Sequence, residues 1–247
     1  MPRYLTYYAL ILRSRQSGES NRDVWLFTAE EGLLRATVFG GAKSKLRSYA
    51  SPFHSGLAYV YHEPVKDSRK LSDFDVRLWR PGLRELYERA MAADAIAQTI
   101  LESHGGGGNW SRVLSLAESS LDALDTADSQ TCRRIVLWFL WQWINFLGLM
   151  PNLGYCSHCS EPVSSGSMLQ YSPRDGSVIC NACLNTEHDL LEAGPGFRRW
   201  LKTSLDISPL ELCRFTLDIK SFNEAQSLAM AILTEALGKR LASWDML

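Results

Sequence analysis

The spacing of apolar residues changes twice along the chain, and each change marks a change of architecture. Up to about Arg80, apolar and polar positions alternate in short runs rich in β-branched and aromatic residues: "TYYALILRS", "DVWLFT", "LLRATVFG", "FHSGLAYVYHE" and "SDFDVRLWR". This pattern predicts five strands. "AEEG" (Ala29 to Gly32) is a turn, and "GGAKSKLRSYAS" (Gly40 to Ser51), punctuated by two glycines, is a loop. Five short strands in so small a span suit a closed barrel, because closure removes exposed strand edges, and the count fits an OB-fold.

After Arg80 the period becomes helical. Leu83, Leu86, Tyr87, Ala90 and Met91 predict a helix to about Ser103, which "HGGGGN" breaks. Asn109 is placed to cap a second helix over Trp110 to Leu124. A third, from about Gln130 to Leu147, is apolar around most of its circumference and belongs at the centre of a bundle. From about Asn152 to Ala193 the helical period lapses. Two strand-like pieces there flank the turn "SPRDG", in which Pro173 presets φ and Gly176 permits the exit. "SPLE" (Ser208 to Glu211) and "SFNE" (Ser221 to Glu224) are capping boxes, the second predicting a last helix over about Phe222 to Ala242. The organisation expected is multidomain α+β: a five-stranded OB-fold barrel over residues 1–80, then an α-helical bundle in two parts, 81–151 and 194–247, with a cysteine-bearing element over 152–193 inserted between them.

Charge sharpens this division. The net charge of −1 conceals 13 Lys/Arg against 8 Asp/Glu through Arg80, and 13 against 19 beyond it. A basic barrel on an acidic remainder points to an anionic partner for the first part only. The N-terminal "MPRYLTYYALILRSR" has no small-residue cleavage site and reads as a strand. "IVLWFLWQWINFLGLM" (Ile135 to Met150) carries Gln142 and Asn145 and stops at Pro151, short of the roughly 20 apolar residues that a bilayer crossing needs. It reads as a buried core helix, and a cytoplasmic protein with no membrane segment is expected.

Of the six cysteines, Cys132 and Cys213 sit in apolar helical patterns and read as buried free thiols. The other four form two C-x-x-C pairs, Cys156 with Cys159 and Cys180 with Cys183. Each pair puts two thiolates on one side of a knuckle, and the intervening hairpin brings the knuckles together into a four-sulfur site for one zinc ion. Four thiolates close the coordination shell, which argues for a structural ion. "CSE" followed by the second pair superficially echoes the zinc deaminases, but Ile179 stands where their signature has proline, and Cys156 would be surplus. His158 and His188 read as exposed. Between Cys156 and Gly194, Arg174 faces five acidic residues, which disfavours contact with phosphate.

The basic features lie in the barrel. The Gly40–Ser51 loop presents Lys43, Lys45 and Arg47; Arg13 and Arg15 follow the first strand, Arg35 lies in the third, and Arg69 and Lys70 precede the fifth. Tyr7, Trp25, Phe39, Tyr49, Phe53, Tyr59 and Tyr61 interleave with them. A charged groove with exposed rings is how single strands are held, although most of these rings are expected to fill the barrel. Neither a phosphate-binding loop nor a nucleophile elbow occurs, so the chain is expected not to be an enzyme.

The segment "ALILRSRQSGESNRDVWLFTAEEGLLRATVFGGAKSKLRSYASPF" resembles the opening of RecO, a bacterial family of recombination mediators, in the order "LRSR", "GES", "LFT", "EEG", "GGAKSK" and "PF". The cysteine pairs also stand where many members carry a zinc module. Gly41, Ala42, Lys43 and Lys45 match the family's basic-loop pattern, with Ser44 interrupting the run. The resemblance implies an OB-fold, a helical domain and a structural zinc. It implies binding of single- and double-stranded DNA, annealing of complementary strands, and, with RecR, loading of RecA onto protein-coated single strands. RecR and the C-terminal tail of the single-stranded-DNA-binding protein are the implied partners, and the nucleoid the implied location. The alternative is a zinc-stabilised protein-interaction module that does not touch nucleic acid.

Overall fold

All five strands expected before Arg80 are present: β1 (Tyr4–Ser17), β2 (Asn21–Thr28), β3 (Gly32–Val38), β4 (Ser55–Glu63) and β5 (Ser68–Leu78). They close in the order β1-β2-β3-β5-β4, antiparallel except for the β3–β5 pair, in a computed structural model that describes residues 4–40, 44–164, 166–184, 190–212 and 215–246. Closure depends on β1, which pairs with β4 through residues 4–10 and with β2 through residues 9–17. A bulge at Leu12 turns the strand between these two tasks. Gly56 serves the β4–β5 pair similarly: a Cβ there would stand 2.1 Å from the Asp75 carbonyl oxygen, so only glycine allows the two backbones to approach beside their bulge.

Aliphatic side chains fill the barrel. Ile11, Val24, Leu26, Val60 and Leu71, with Phe74, form its core. Of the seven rings expected mostly inside, only Tyr7 is buried; Phe39 and Tyr59 are exposed, and Trp25, Tyr49, Phe53 and Tyr61 are half-buried. The expectation fails because most of these rings occupy the outward phase of their strands or the connecting loops, while the narrow interior takes smaller groups; Tyr49 packs against the core from the β3–β4 connection and stays half-buried. The connection from β3 to β4, expected as a loop, contains one helical turn, α1 (Lys45–Tyr49). Lys43, Gly41 and Ala42 lie outside the described residues.

Two helices complete the first compact unit, residues 1–128. They are α2 (Tyr87–Glu102) and α3 (Trp110–Leu124), the latter capped by Asn109, whose side chain accepts from the Arg112 N–H at 3.2 Å. Both lie against the barrel wall at β1 and β2. Leu10 and Phe27, cross-strand partners excluded from the barrel core, are nevertheless fully buried. Arg80 fastens the arrangement. In a left-handed conformation (φ 44°) and with its side chain 3% exposed, it donates to Asp122 (2.6 Å), the Phe53 carbonyl (2.8 Å) and Ser55 Oγ (2.9 Å), with Glu118 at 3.7 Å.

The second compact unit, residues 129–247, is built on α4 (Ser129–Phe146), so the helices read as 81–151 are shared between the units. The polar groups of this apolar helix are provided for: Trp138 and Trp141 donate to the Ser204 and Ala225 carbonyls, and Gln142 donates to Leu205. Cys132 is buried, as expected, while Cys213 lies outside the described residues. No helix among the described residues is long and apolar enough to cross a membrane. A three-stranded sheet, β7-β6-β8, joins Leu169–Ser172 (β6), Ser177–Cys180 (β7) and an unforeseen third strand, Leu191–Ala193 (β8). Three helices follow: α5 (Pro195–Ser204), α6 (Pro209–Leu212) and α7 (Ile219–Leu237).

The capping box at Ser208 forms, with Glu211 accepting from the Ser208 N–H and hydroxyl at 2.9 Å each. The one expected at Ser221 does not. There α7 starts a turn earlier, capped by Asp218, which accepts from the Ser221 N–H at 2.9 Å. Glu224 is engaged elsewhere, accepting from the Gly194 N–H (3.0 Å) at the start of α5, a helix with no side-chain cap of its own. At the other end α7 stops at Leu237 rather than Ala242, because Gly238 takes a left-handed conformation.

Candidate nucleic-acid interface and candidate metal centre

The bulge at Leu12 decides where the first arginines point. Before it, Tyr7, Ala9 and Ile11 face the barrel interior. Simple alternation would send Arg13 and Arg15 inward as well. The extra residue instead pairs Arg13 with Trp25 and Arg15 with Asp23. Val24 and Leu26 are core residues, so Trp25 and Asp23 face outward, and the two arginines with them. The register continues across the sheet: Trp25 pairs with Arg35, Asp23 with Thr37, Thr37 with Lys70, Lys70 with Tyr61, and Tyr61 with Tyr4. Arg13, Arg15, Arg35 and Lys70 therefore share one outward face with Trp25, Tyr61 and Tyr4.

Ring and charge are in contact on this face. The Arg35 guanidinium lies 5.4 Å from the Trp25 ring centroid, Lys70 Nζ lies 5.4 Å from that of Phe39, and the Tyr4 and Tyr61 rings are 5.1 Å apart. Asp23 pairs with Arg35 at 2.5 Å and accepts from Thr37 Oγ1 at 2.9 Å. Burial opposes its ionisation, but the hydrogen bonds from Arg35 and Thr37 outweigh that and hold the carboxyl below its usual range. Among the described residues, Arg13, Arg15, Lys45, Arg47 and Lys70 have no carboxylate partner, so their charge is available to an outside anion.

Arg69 stands apart from its sequence neighbour. Alternation from the core residue Leu71 turns it to the inner side, where its guanidinium lies 4.0 Å from Glu31 and 3.7 Å from Asp67. Glu31 also accepts from the buried Tyr7 hydroxyl, whose pKa rises through burial and then through this bond. Lys45 and Arg47 sit on α1, between β3 and β4. Two exposed rings at the barrel escaped the sequence reading. Tyr4 carried a signal, its phase opposite to that of the inward Leu5. Trp79 carried none; it follows the end of β5 and packs edge-on against Tyr49 and His54.

The cysteine pairs meet as their spacing requires. The sulfurs of Cys156, Cys159, Cys180 and Cys183 all lie within 4.8 Å of one another, and Cys159 and Cys180 are 3.9 Å apart. A tetrahedron with metal–sulfur bonds of about 2.3 Å sets its sulfurs about 3.8 Å apart, so the set fits a zinc-sized ion. Backbone ties build the cluster. Ser157 donates to Val178 through both its N–H (2.8 Å) and its hydroxyl (2.9 Å), locking the first knuckle to the strand that carries the second. Burial opposes ionisation of the Cys156 thiol, but the N–H groups of Cys159, Cys180 and His158 outweigh it and lower the pKa to about 6. Hydrogen bonding with the sulfurs of Cys159 and Cys180 pushes Cys183 up to about 12. A cluster that favours one thiolate and resists the next needs a cation to ionise completely. His158 is exposed, as expected, and His188 lies outside the described residues.

Comparison with known proteins covers both units. The family model described as "Recombination protein O N terminal" matches residues 1–76, and "Recombination protein O C terminal" matches residues 84–245. A "DNA repair protein RecO" of Desulfitobacterium hafniense (strain DSM 10664 / DCB-2) is 28% identical over 247 residues, covering 96% of this chain and 87% of the relative. The proteins of the same name from Heliobacterium modesticaldum and Anaeromyxobacter sp. (strain K) are 25% and 27% identical, covering 97% and 95% of this chain and 87% and 92% of their own lengths.

Proposed function

The chain belongs to the RecO family, and on that premise we propose that it is a recombination mediator that holds DNA on the outer face of its barrel and anneals complementary strands. Family membership places it in DNA repair and recombination. One observation carries the interface: the strand register that sets Arg13, Arg15, Arg35 and Lys70 on one face with Trp25, Tyr61 and Tyr4, Phe39 lying beside Lys70. Such a surface tracks phosphates with its charges and receives bases on its rings. The β2–β3 face used here is the one on which OB-folds take oligonucleotides.

The mechanism needs no catalytic step. Two complementary strands repel each other through their phosphates. Cations that replace the condensed counterions lower that repulsion and hold one strand while the other pairs. The four cysteines would hold one zinc ion as a cross-link between two knuckles of the second unit; with four thiolates bound, the ion has no open position for a reactant. We assign RecR and the C-terminal tail of the single-stranded-DNA-binding protein as partners, RecA loading as the outcome, and the cytoplasm, at the nucleoid, as the location. The test is annealing of complementary oligonucleotides, bare and coated with single-stranded-DNA-binding protein, with and without RecR. Acceleration by the parent chain and its loss on replacing Arg13, Arg15 and Lys70 with alanine are expected. Undiminished annealing by that variant would refute the reading.

A further inference from the structure

Arg35 differs from the other cations of its face in being held on two sides. Its guanidinium lies 5.4 Å from the Trp25 ring centroid, and one edge is engaged by Asp23 Oδ2 at 2.5 Å. Asp23 is itself fixed: it is 7% exposed, and its other oxygen accepts from Thr37 at 2.9 Å. Yet the Arg35 side chain is 64% exposed. With one edge committed to a carboxylate and one face beside an indole, this group is poorly placed to follow a phosphate. What it keeps open is the far face of a rigid, planar, delocalised cation.

We infer that Arg35 is a stacking platform for an unpaired nucleobase, with Trp25 and Asp23 as the residues that position it. The inference rests on the DNA-binding reading above and makes it more specific. Guanidinium planes and aromatic rings both stack on bases, and this site sets the first over the second, 5.4 Å from its centroid. The cross-strand neighbours of Trp25 and Asp23 are Arg13 and Arg15, so free cations flank the platform where the adjoining phosphates of a bound strand would run. Bases inside a duplex are already stacked on both faces. The platform therefore favours single strands, whereas Arg13, Arg15 and Lys70 serve any backbone.

An abasic single strand separates the two contributions, because it carries the same phosphates and no bases. The parent chain is expected to bind a base-bearing oligonucleotide about tenfold more tightly than an abasic one of equal length, the size of one good stacking contact. Arg35→Lys keeps the charge and loses the plane; it should bring the two affinities within about twofold while leaving the salt dependence unchanged. Asp23→Asn, which frees the guanidinium, should reduce the preference as well. Thermal unfolding of each variant establishes that the barrel is intact. If Arg35→Lys retains the parent's preference, or the parent shows none, the platform is wrong while the interface stands. If the parent binds neither strand, the interface falls too.

Discussion

Arg69 and Lys70 are adjacent, both cationic, and indistinguishable to any argument from composition, yet the fold gives them opposite roles. Lys70 faces outward beside Thr37 and Phe39; Arg69 turns inward toward Glu31 and Asp67. The consequence is measurable as the salt dependence of single-strand binding, because each phosphate neutralised contributes about 0.7 to the slope of log K against log salt. Five of the candidate DNA-binding cations lack a carboxylate partner among the described residues: Arg13, Arg15, Lys45, Arg47 and Lys70. All five in contact give a slope of about −3.5, and a fourfold rise in salt then weakens binding by about 100-fold. Replacing Arg13, Arg15 and Lys70 with alanine removes about 2 from the slope, so the same rise costs only about sevenfold. Arg69→Gln should leave the slope within a few tenths of the parent's. Fluorescence anisotropy of a labelled oligonucleotide, titrated at four or so salt concentrations, reads both. A fall of about 0.7 for Arg69→Gln, or no change for the triple variant, would refute the assignment of faces by register.

Arg80→Ala removes the donor to the Phe53 carbonyl, Ser55 Oγ and Asp122, and the cation beside the largely buried Glu118; a loss of about 3–5 kcal/mol from the first unit is expected, seen as a fall of about 10 °C or more in its unfolding midpoint. Replacing Cys156 and Cys180 with serine should abolish metal binding and expose the second unit to protease, as should a strong chelator at equilibrium; a metal-free, protease-resistant variant would contradict the structural role of the site. Asp23 has a folded pKa below its ordinary value, so its stabilising contribution is complete above about pH 4 and disappears as the pH falls through the depressed folded value; the stability difference between the parent and Asp23→Asn, measured by urea titration, should be constant from neutral pH down to about pH 4 and shrink below it. Gly56→Ala must drive a Cβ into the Asp75 carbonyl and should open the β4–β5 pairing, visible as faster amide exchange along both strands.

Much of this was legible in the chain because it depends on local chemistry. Alternation gave five strands their positions, and a helical period located α2, α3 and α4 to within a few residues. Asn109 and Ser208 act as caps because capping is decided within one turn. The box at Ser221 failed for a nonlocal reason: its glutamate is drawn to Gly194, 30 residues away in the chain. The third strand of the small sheet, Leu191–Ala193, is too short to show a period, and its pairing with β6 is what makes it a strand.

By itself the sequence determined that a basic barrel precedes an acidic helical part, that two cysteine pairs could meet around one ion, and that the family is RecO. These follow from composition, spacing and motif order, which need no coordinates. Only the tertiary structure decided which charges act together. Tyr7, Ala9, Ile11, Arg13 and Arg15 share one phase of alternation, and on that pattern the arginines belong inside. One extra residue, Leu12, sits opposite no partner and reverses the phase. The strand curls there because the barrel must close, and closure is a property of five strands at once. It turns two arginines outward beside Trp25 and Asp23, and so makes a binding face out of residues that a straight strand would have buried.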